Sequence, residues 1–349
     1  MNDTILTPRQ VKILDILSQA PITGVEITKK IKNYFPISKA TLMRELAFLK
    51  KQKFINTQGN GKNTVYTSLQ ETFLKYIDIE EYFKENSQIR IKGPKSFNLD
   101  IINKFKNAFS NEEKEQLILI SKKLSAQKKL LDPSIFKREI ERFTVEFAWK
   151  SSKIEGNTYS LLETEVLIKQ MKEAAGHTKY EAQMILNHKS AIDDILQNPS
   201  KFRELTINKI INLHSILTKD LEVSSGIRKN KVAITGTEYM PLSSPEKIKA
   251  ALQKIVDMTN KIDFPLTKAL LTALMIAYLQ PFVDGNKRTS RTLANAILIA
   301  YDLYPLSYRD ADIIEYIKAT ILFYETNNIY YFKRIFVNQF NFSVNNYFQ

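Results

Sequence analysis

The sequence predicts a mainly α-helical protein that carries a small domain of helices and a β-hairpin at its N-terminus. Apolar residues recur at helical spacing from about Leu99 onwards, and one stretch, LTKALLTALMIAYLQ, is apolar on nearly every side. The first 70 residues instead show three short helical patterns followed by two strand-like runs. With 349 residues and 44% hydrophobic content, the chain is long enough for two or three domains. We place them at 1–70 and 101–349, with a linker at 71–100.

The composition excludes several kinds of site. No cysteine is present, so disulfides and thiolate metal sites are excluded and a reducing compartment fits best. The three histidines, His177, His188 and His214, have no metal-ligand spacing, which argues against a zinc site. No apolar run reaches the roughly 18 residues of a membrane span, and the first residues lack the apolar core of a signal peptide. We therefore expect a cytoplasmic protein without a membrane partner.

Three helices are predicted to open the N-terminal domain. Thr7 and Gln10 have the spacing of a capping box at the start of the first helix. A second helix passes through Ile27, where the apolar residues return at helical spacing. Ser38 is placed to cap a third helix that extends to about Gln52.

A hairpin follows these helices. Two runs with strand character, 54–57 and 65–68, flank the turn residues Gly59-Asn60-Gly61. Three helices and a hairpin resemble a winged helix-turn-helix, a module whose third helix enters the major groove of DNA while the hairpin contacts the backbone. The resemblance implies binding to double-stranded DNA through side chains of the third helix and the hairpin, namely Lys39, Thr41, Arg44 and Lys62.

The charge distribution supports a polyanionic partner for this domain. The chain has a formal net charge of +14, and residues 1–70 hold eleven basic and four acidic residues. Half of the net charge therefore lies in a fifth of the chain, as expected of a nucleic-acid-binding module. Winged helices also serve as protein-interaction domains, and that alternative stays open.

The main domain is predicted to be a series of helices. Capping signals and helical periodicity place helix starts at Asn111, Pro133, Pro245 and Pro265. Residues 160–195 have a helical pattern, and a further amphipathic helix covers 207–217.

One segment of this domain breaks the helical pattern. Arg228 to Met240 alternates around Val232 and Ile234 as a strand would, and Gly236 is placed to turn the strand back. The segment is therefore predicted to be a β-hairpin.

The most informative stretch is QPFVDGNKRTSR, from Gln280 to Arg291. Gly285 and Asn286 form a turn, and a helix begins directly after them. Its first turn carries Lys287, Arg288 and Arg291, although the positive end of a helix dipole disfavours cations. Free N–H groups at a helix start, a glycine and arginine side chains are the parts of a phosphate-binding site, so this stretch predicts an anionic ligand.

The same stretch resembles the signature of the Fic family, His-Pro-Phe-x-Asp/Glu-Gly-Asn-Gly/Lys-Arg-x-x-Arg. The match covers Pro281, Phe282, Asp284, Gly285, Asn286, Lys287, Arg288 and Arg291. The first position differs, because the family's histidine is replaced by Gln280. The resemblance implies a Fic-type helical core, with the hairpin at 228–240 as a flap that aligns a target segment by strand addition.

A second stretch resembles the inhibitory motif of the same family, Ser/Thr-x-x-x-Glu-Gly/Asn. Ser151, Glu155 and Gly156 match it. The resemblance implies that Glu155 pairs with Arg291 and so excludes the nucleotide's γ-phosphate. This inhibition is physically reasonable, because a carboxylate and a phosphate compete for the same guanidinium group.

The family resemblance implies transfer of AMP from Mg-ATP to a side-chain hydroxyl of a target protein, whose identity the sequence does not give. In that scheme Asp284 holds Mg²⁺, and Gly285, Asn286 and Lys287 contact the nucleotide. Arg288 and Arg291 stabilise the charge that develops on the phosphates. Transfer of this kind depends chiefly on positioning and electrostatics.

Gln280 stands at the position of the catalytic base, and an amide cannot accept the hydroxyl proton near neutral pH. We therefore expect weak or absent AMP transfer. Two alternatives stay open. The first is an ATP-binding pseudoenzyme that acts as a DNA-binding transcriptional regulator. The second is a phosphotransferase similar to Doc-type toxins, which also have a lysine at the signature position of Lys287. The oligomeric state is open as well, a homodimer being one option.

Overall fold

The structure is a computed structural model that describes residues 6–52, 54–68, 72–90, 96–130 and 132–347. Within these ranges, the side chains of residues 18, 19, 62, 72 and 123–130 are outside the description. The described residues are mainly helical, as predicted, with one small antiparallel sheet. The chain divides into two compact units, the first made of residues 1–86 with 327–330 and the second of 87–326 with 331–349. Of the predicted linker, residues up to 86 thus belong to the first unit and residues 87–100 to the second.

The helices and strands are defined here by their bounds. In the first unit they are α1 (Pro8–Gln19), β1 (Ile22–Thr23), α2 (Gly24–Ile31), α3 (Lys39–Lys51), β2 (Ile55–Gln58), β3 (Val65–Ser68) and α4 (Ile79–Lys84). In the second unit they begin with α5 (Ser87–Arg90), α6 (Asn111–Leu130), α7 (Pro133–Ile154), α8 (Leu161–Gln170), α9 (Lys179–Gln197) and α10 (Ile207–Leu217). They continue with α11 (Pro245–Lys261), α12 (Pro265–Leu279), α13 (Asn286–Ala300), α14 (Ile313–Thr326) and α15 (Tyr330–Asn346).

The first unit has the predicted three helices and hairpin. Thr7 and Gln10 form the capping box of α1, and the Ser38 hydroxyl accepts a hydrogen bond from the backbone N–H of Thr41 at the start of α3. Strands β2 and β3 pair in an antiparallel register that sets Ile55 opposite Ser68. A third strand, β1, was not predicted and pairs with β3, giving the order β1-β3-β2. The apolar faces of α1, α2 and α3 share one core with the sheet.

The second unit is built around α12, which is buried along nearly its whole length from Leu266 to Leu279. Burial on all sides is what an apolar pattern around the whole helix indicates. Helix α13 packs along α12, and α7, α9 and α10 pack around this pair. The arrangement brings the C-terminal end of α7 and the N-terminal end of α13 together, although they are far apart in the sequence.

Residues 160–195 form two helices separated by the non-helical residues 171–178, so the prediction that the stretch is helical throughout is wrong for those residues. Helix α8 ends where Met171 takes a left-handed conformation with φ of 54°. Helix α9 starts at a new capping box, in which the Thr178 hydroxyl and the Glu181 carboxylate each accept a backbone N–H. A second capping signal inside a helical pattern marks a new helix start, and this one was readable in the sequence.

The segment 228–240 has no strand pairing of its own, so the predicted β-hairpin is wrong, although a turn is found at Gly236 with φ of 84°. Hydrogen bonds from a side chain hold this segment where pairing between strands was predicted. The Arg228 guanidinium donates to the carbonyls of Gln280, Asn230 and Leu242. The segment is thereby held as an irregular loop, which we call the 228–240 loop.

Two residues near the start of the second unit, Arg90 and Ser96, also hold the 228–240 loop. Arg90 donates to the Gly236 carbonyl at 2.7 Å and to the Glu325 carboxylate at 2.9 Å. Ser96 forms an isolated parallel bridge with Met240. The loop is therefore fixed at its turn and near its end.

No helix in the described part of the chain is long and apolar enough to cross a membrane.

Candidate functional site

The candidate site begins at the turn between α12 and α13. Gly285 takes a left-handed conformation, with φ of 75°, and a Cβ atom there would lie 2.9 Å from Thr218 Cγ2. Only glycine fits this position without movement of the neighbouring helix. The Asn286 amide donates to the Phe282 carbonyl at 2.9 Å and accepts the Phe282 N–H at 2.8 Å, so this side chain holds the turn closed.

Three cations follow in the first turns of α13, as the sequence indicated. The Arg288 side chain is almost fully buried, and its Nη2 donates to Asp284 Oδ2 at 3.0 Å. Lys287 Nζ lies 3.9 Å from Glu155 Oε2. The Asp284 side chain keeps 57% of its surface exposed, so its carboxylate remains accessible from solvent.

Arg291 is the deepest of these cations and has no exposed side-chain surface. Its Nε donates to Ser151 Oγ at 3.0 Å, and its Nη2 donates to the Ser151 carbonyl at 2.9 Å and to Glu155 Oε1 at 2.8 Å. Its Nη1 has no hydrogen-bond partner in the described part of the chain. The guanidinium therefore has its Nε and Nη2 engaged and one buried nitrogen still able to donate.

Glu155 reaches Arg291 from the end of α7. It is the C-terminal cap of that helix, and Gly156 continues the chain at φ of 95°. Burial raises the pKa of the Glu155 carboxyl, but the positive charges of Arg291 and Lys287 outweigh burial, so its pKa lies below the ordinary value of 4.5. Glu155 is therefore a carboxylate at neutral pH.

Gln280 ends α12 in a left-handed conformation, with φ of 52°. Its Nε2 donates to the Ala277 carbonyl at 2.6 Å, and its Oε1 accepts from Asn286 Nδ2 at 3.0 Å. Both ends of the amide are thus used within the turn. Gln280 supplies no group that could take up a proton near neutral pH.

Two histidines lie close to these residues. His214 is fully buried, its ring stacks on that of Phe282 with the centroids 3.7 Å apart, and its Nε2 donates to the Asp284 carbonyl at 2.9 Å. His188 was assigned no role from the sequence. It lies 2.8 Å from Ser151 Oγ through Nε2, next to the residue that holds Arg291.

A small cleft opens beside Lys287. The end of α7, the 228–240 loop and α14 enclose it, and its lining is Ile154, Ile234, Thr235, Lys287, Tyr316, Ile317, Thr320, Ile321 and Tyr324. The walls of this cleft are mainly apolar and aromatic, with the cation of Lys287 at one side.

The acidic residues of the site bear on metal binding. No group of three or more His, Cys, Asp or Glu residues that could hold a metal lies in the described part of the chain. Asp284 is a single exposed carboxylate at the mouth of α13. Mg²⁺ is commonly held by one or two carboxylates together with substrate phosphates, and Asp284 fits that requirement.

The DNA-binding candidates lie in the first unit. Lys39 and Arg44 are exposed on α3, Thr41 is half-buried, and the side chain of Lys62 lies outside the described residues. The one acidic residue of α3, Glu45, is buried and accepts a hydrogen bond from Arg9 at 3.0 Å. The exposed face of α3 is consequently basic and free of acidic side chains.

Comparison with known proteins identifies residues 204–298 as a match to the Fic/DOC family. A protein adenylyltransferase Fic from Nematostella vectensis is 26% identical over 185 residues, which is 52% of this chain and 43% of the relative. The corresponding protein of Drosophila willistoni is 29% identical over 152 residues, covering 42% of this chain and 30% of the relative. The chain thus spans less than half the length of these curated relatives.

Solved structures show the same fold. Fic-1 (residues 134–508) from C. elegans superposes with a TM-score of 0.58 at 20% identity, covering 66% of this chain and 69% of that one. A Fic domain containing signaling protein from Bacteroides thetaiotaomicron gives a TM-score of 0.53 at 24% identity, covering 66% and 95%. Residues 204–298 therefore match the Fic/DOC family model, the fold is similar to that of the solved Fic structures, and Gln280 to Arg291 lies inside the matched segment.

Proposed function

We propose that the second unit binds Mg-ATP at the start of α13 and transfers AMP to a hydroxyl group of a target protein. In this proposal Glu155 inhibits the site and Gln280 makes the transfer slow. The observation that carries the proposal is the buried guanidinium of Arg291, which sits at the last position of a Fic signature and is held by Ser151 and Glu155.

The start of α13 has the properties of a triphosphate site. Its free backbone N–H groups and helix dipole attract anions. Lys287, Arg288 and Arg291 add three positive charges within two turns. Arginine side chains donate two parallel hydrogen bonds to phosphate oxygens, so Arg288 and Arg291 would contact the phosphates. Asp284 would hold Mg²⁺, which would offset the negative charge of the phosphates.

Glu155 inhibits by occupying the arginine that the nucleotide needs. Its carboxylate accepts from Arg291 Nη2 at 2.8 Å and lies near Lys287. A phosphate oxygen cannot take this place while the carboxylate stays there. Release of Glu155 therefore accompanies productive binding of the nucleotide.

The transfer itself requires a proton acceptor. The oxygen of the target hydroxyl attacks the α-phosphorus, the bond to the β-phosphate breaks, pyrophosphate leaves, and the hydroxyl proton must be removed. Gln280 cannot take that proton, so it is released to solvent without a positioned base. Loss of a general base typically slows such a step by roughly 10² to 10⁴.

The test is incubation of the full chain with Mg-ATP labelled at the α-phosphate and a cell lysate as the source of targets. We expect faint labelling by the Glu155→Gly variant and strong labelling by Glu155→Gly with Gln280→His. Calorimetry of Mg-ATP binding to Glu155→Gly is the direct check of occupancy. No binding by this variant would refute the proposal, and label that arrives only from the γ-phosphate would indicate the phosphotransferase instead.

The first unit favours a second candidate function, an ATP-binding pseudoenzyme that regulates transcription. The supporting observation is the exposed face of α3, which carries Lys39 and Arg44 and turns Glu45 into the core. Basic side chains that neutralise phosphates give DNA affinity that falls steeply with salt.

A mobility-shift assay on promoter DNA, with and without Mg-ATP, tests this second function. Lys39→Ala with Arg44→Ala should weaken binding, whereas Lys249→Ala, an exposed lysine on α11, should not. The regulator function would be favoured by two results together: a mobility shift that depends on Mg-ATP, and no protein labelling by the Glu155→Gly, Gln280→His variant. Equal binding by all variants would exclude α3 as the contact surface.

A further inference from the structure

A hydrogen-bond chain runs from the backbone of α9 to Arg291. His188 Nδ1 lies 2.8 Å from the Met184 carbonyl, and His188 Nε2 lies 2.8 Å from Ser151 Oγ. Ser151 Oγ in turn accepts from Arg291 Nε at 3.0 Å. All of these side chains are buried. We propose that His188 is a positioning residue, which acts through Ser151 to orient Arg291 for the nucleotide phosphate; the inference rests on the function proposed for that arginine.

With a neutral His188 ring, the donors and acceptors along this chain permit one arrangement. Arg291 Nε can only donate, so Ser151 Oγ accepts this bond and has its own proton left to donate. The Met184 carbonyl can only accept, so His188 Nδ1 carries the single proton of the neutral ring. His188 Nε2 is then unprotonated and accepts the Ser151 proton, and the tautomer is fixed by α9.

The surroundings of His188 favour this neutral form. The ring is fully buried and meets Phe147 edge-on at 5.6 Å. Burial, together with the positive charges of Arg288 and Arg291, lowers the pKa of His188 from 6.5 to about 3. A protonated ring would aim a second donor at Ser151 Oγ next to a guanidinium cation, which the site does not accommodate.

We call this chain of hydrogen bonds from His188 through Ser151 to Arg291 the relay. It matters because a serine hydroxyl rotates freely unless its proton has an acceptor. With His188 in place, the Ser151 proton points away from Arg291 and a lone pair of Oγ faces Nε. Without that acceptor the lone pair is no longer held in this direction, and Arg291 loses one of the bonds that orient its plane. A bidentate arginine–phosphate contact depends on that plane.

A packing role for His188 predicts different behaviour from a relay, and two variants separate them. Glutamine can donate to the Met184 carbonyl and accept from Ser151 at the same time, whereas leucine fills the space with neither group. Ser152→Ala is the matched control, since Ser152 Oγ lies 3.4 Å from His188 Nδ1 and has no hydrogen bond to Arg291 among the described contacts.

The experiment measures Mg-ATP binding by calorimetry on the full chain in the Glu155→Gly background. We expect His188→Leu to weaken binding roughly tenfold, the effect of one misplaced charge-assisted hydrogen bond. His188→Gln and Ser152→Ala should stay within about twofold of the background. Equal weakening by the leucine and glutamine variants, or no weakening by leucine, would overturn the inference.

A second measurement needs no nucleotide. Solvent exchange of the Arg291 Nε–H, followed by NMR of ¹⁵N-arginine-labelled protein, should be at least roughly tenfold faster in His188→Leu than in His188→Gln. Unchanged exchange in the leucine variant would refute the relay. If Glu155→Gly binds no Mg-ATP, the proposed function fails, and the exchange rates alone still decide the role of His188.

Discussion

Glu155 and Arg291 lie 136 positions apart in the sequence and meet at 2.8 Å in the second unit. Glu155 is the C-terminal cap residue of α7 through its backbone N–H, and the Arg291 guanidinium is buried in the second turn of α13. One ion pair therefore links the two stretches that sequence motifs had singled out separately. Its strength sets how readily an anion can replace the carboxylate.

The first prediction concerns this pair and pH. Because the native pKa of Glu155 is lowered, its contribution to stability is present above the ordinary glutamate pKa of 4.5 and is lost as the pH falls through the lower native value. Glu155→Gln should reduce the free energy of unfolding by about 1–3 kcal/mol at pH 7, since it leaves Arg291 buried without its charge partner. Urea unfolding of both proteins should show this difference shrink below about pH 4.

The control for that measurement is Glu165→Gln, which removes the exposed pair between Glu165 and Lys169 on α8. Exposed pairs of this kind contribute little, so this variant should change stability much less. A Glu155→Gln variant as stable as the parent at pH 7 would contradict the prediction.

The second prediction concerns the missing base. In the Glu155→Gly background, Gln280→His should raise the rate of AMP transfer by about 10² to 10⁴, because imidazole can accept the hydroxyl proton. The rate should rise with pH and level off above the histidine pKa, near 6.5 in an unperturbed ring. Transfer of α-phosphate label to protein over a pH series is the measurement.

Gln280→Asn is the matched control for the histidine revertant. Asparagine tolerates the left-handed conformation found at this position and has no titratable group. It should give no gain in rate. A comparable gain from both variants would show that the amide obstructs the site instead of lacking a proton acceptor.

The third prediction concerns Gly285. Gly285→Ala combines a positive φ with a contact of 2.9 Å to Thr218, so it should lower the free energy of unfolding by roughly 2–4 kcal/mol and weaken Mg-ATP binding. Gly176→Ala has a similar φ of 85° but no heavy atom within 4 Å of the added Cβ. It should cost about 1 kcal/mol, the backbone term alone, so the difference between the two variants measures the crowding.

The fourth prediction concerns His188 and acid. Its native pKa of about 3 lies below the ordinary 6.5, so the unfolded chain binds a proton that the native protein rejects. Stability is therefore lost as the pH falls below about 6.5, with a limiting slope of about 1.4 kcal/mol per pH unit from this residue. Urea unfolding should lose about 2 kcal/mol more between pH 7 and pH 5 in the parent than in His188→Gln. Identical pH profiles would contradict a neutral buried ring.

Local signals in the sequence predicted much of the fold. Capping residues and helical periodicity placed the starts of α1, α3, α7, α11 and α12 close to those observed, because these signals act within one or two turns. The break between α8 and α9 was missed because helical periodicity on both sides outweighed the capping box at Thr178 in our interpretation. A stricter use of that box would have found it.

The site was predictable only in part. The turn from Gly285 to Arg291 is compact in sequence, so its residues could be named together. Arg228, Arg90 and His188 could not be found this way, because each acts through a bond to a residue at least 37 positions distant, such as Ser151 for His188. The predicted β-hairpin was wrong for the same reason. The alternating pattern in 228–240 does not indicate that the Arg228 guanidinium bonds to carbonyls in and near this segment.

The complete burial of Arg291 bears on how the site responds to dissolved salt. This cation has already lost its shell of water in the ligand-free protein, so an incoming anion replaces a carboxylate instead of stripping a hydrated ion. Mobile ions screen a charge at such depth weakly, in contrast to the exposed lysines of α3. Raising the ionic strength should consequently affect the two units differently. It should weaken the binding of anions to α3 and leave the binding of an anion to Arg291 nearly unchanged.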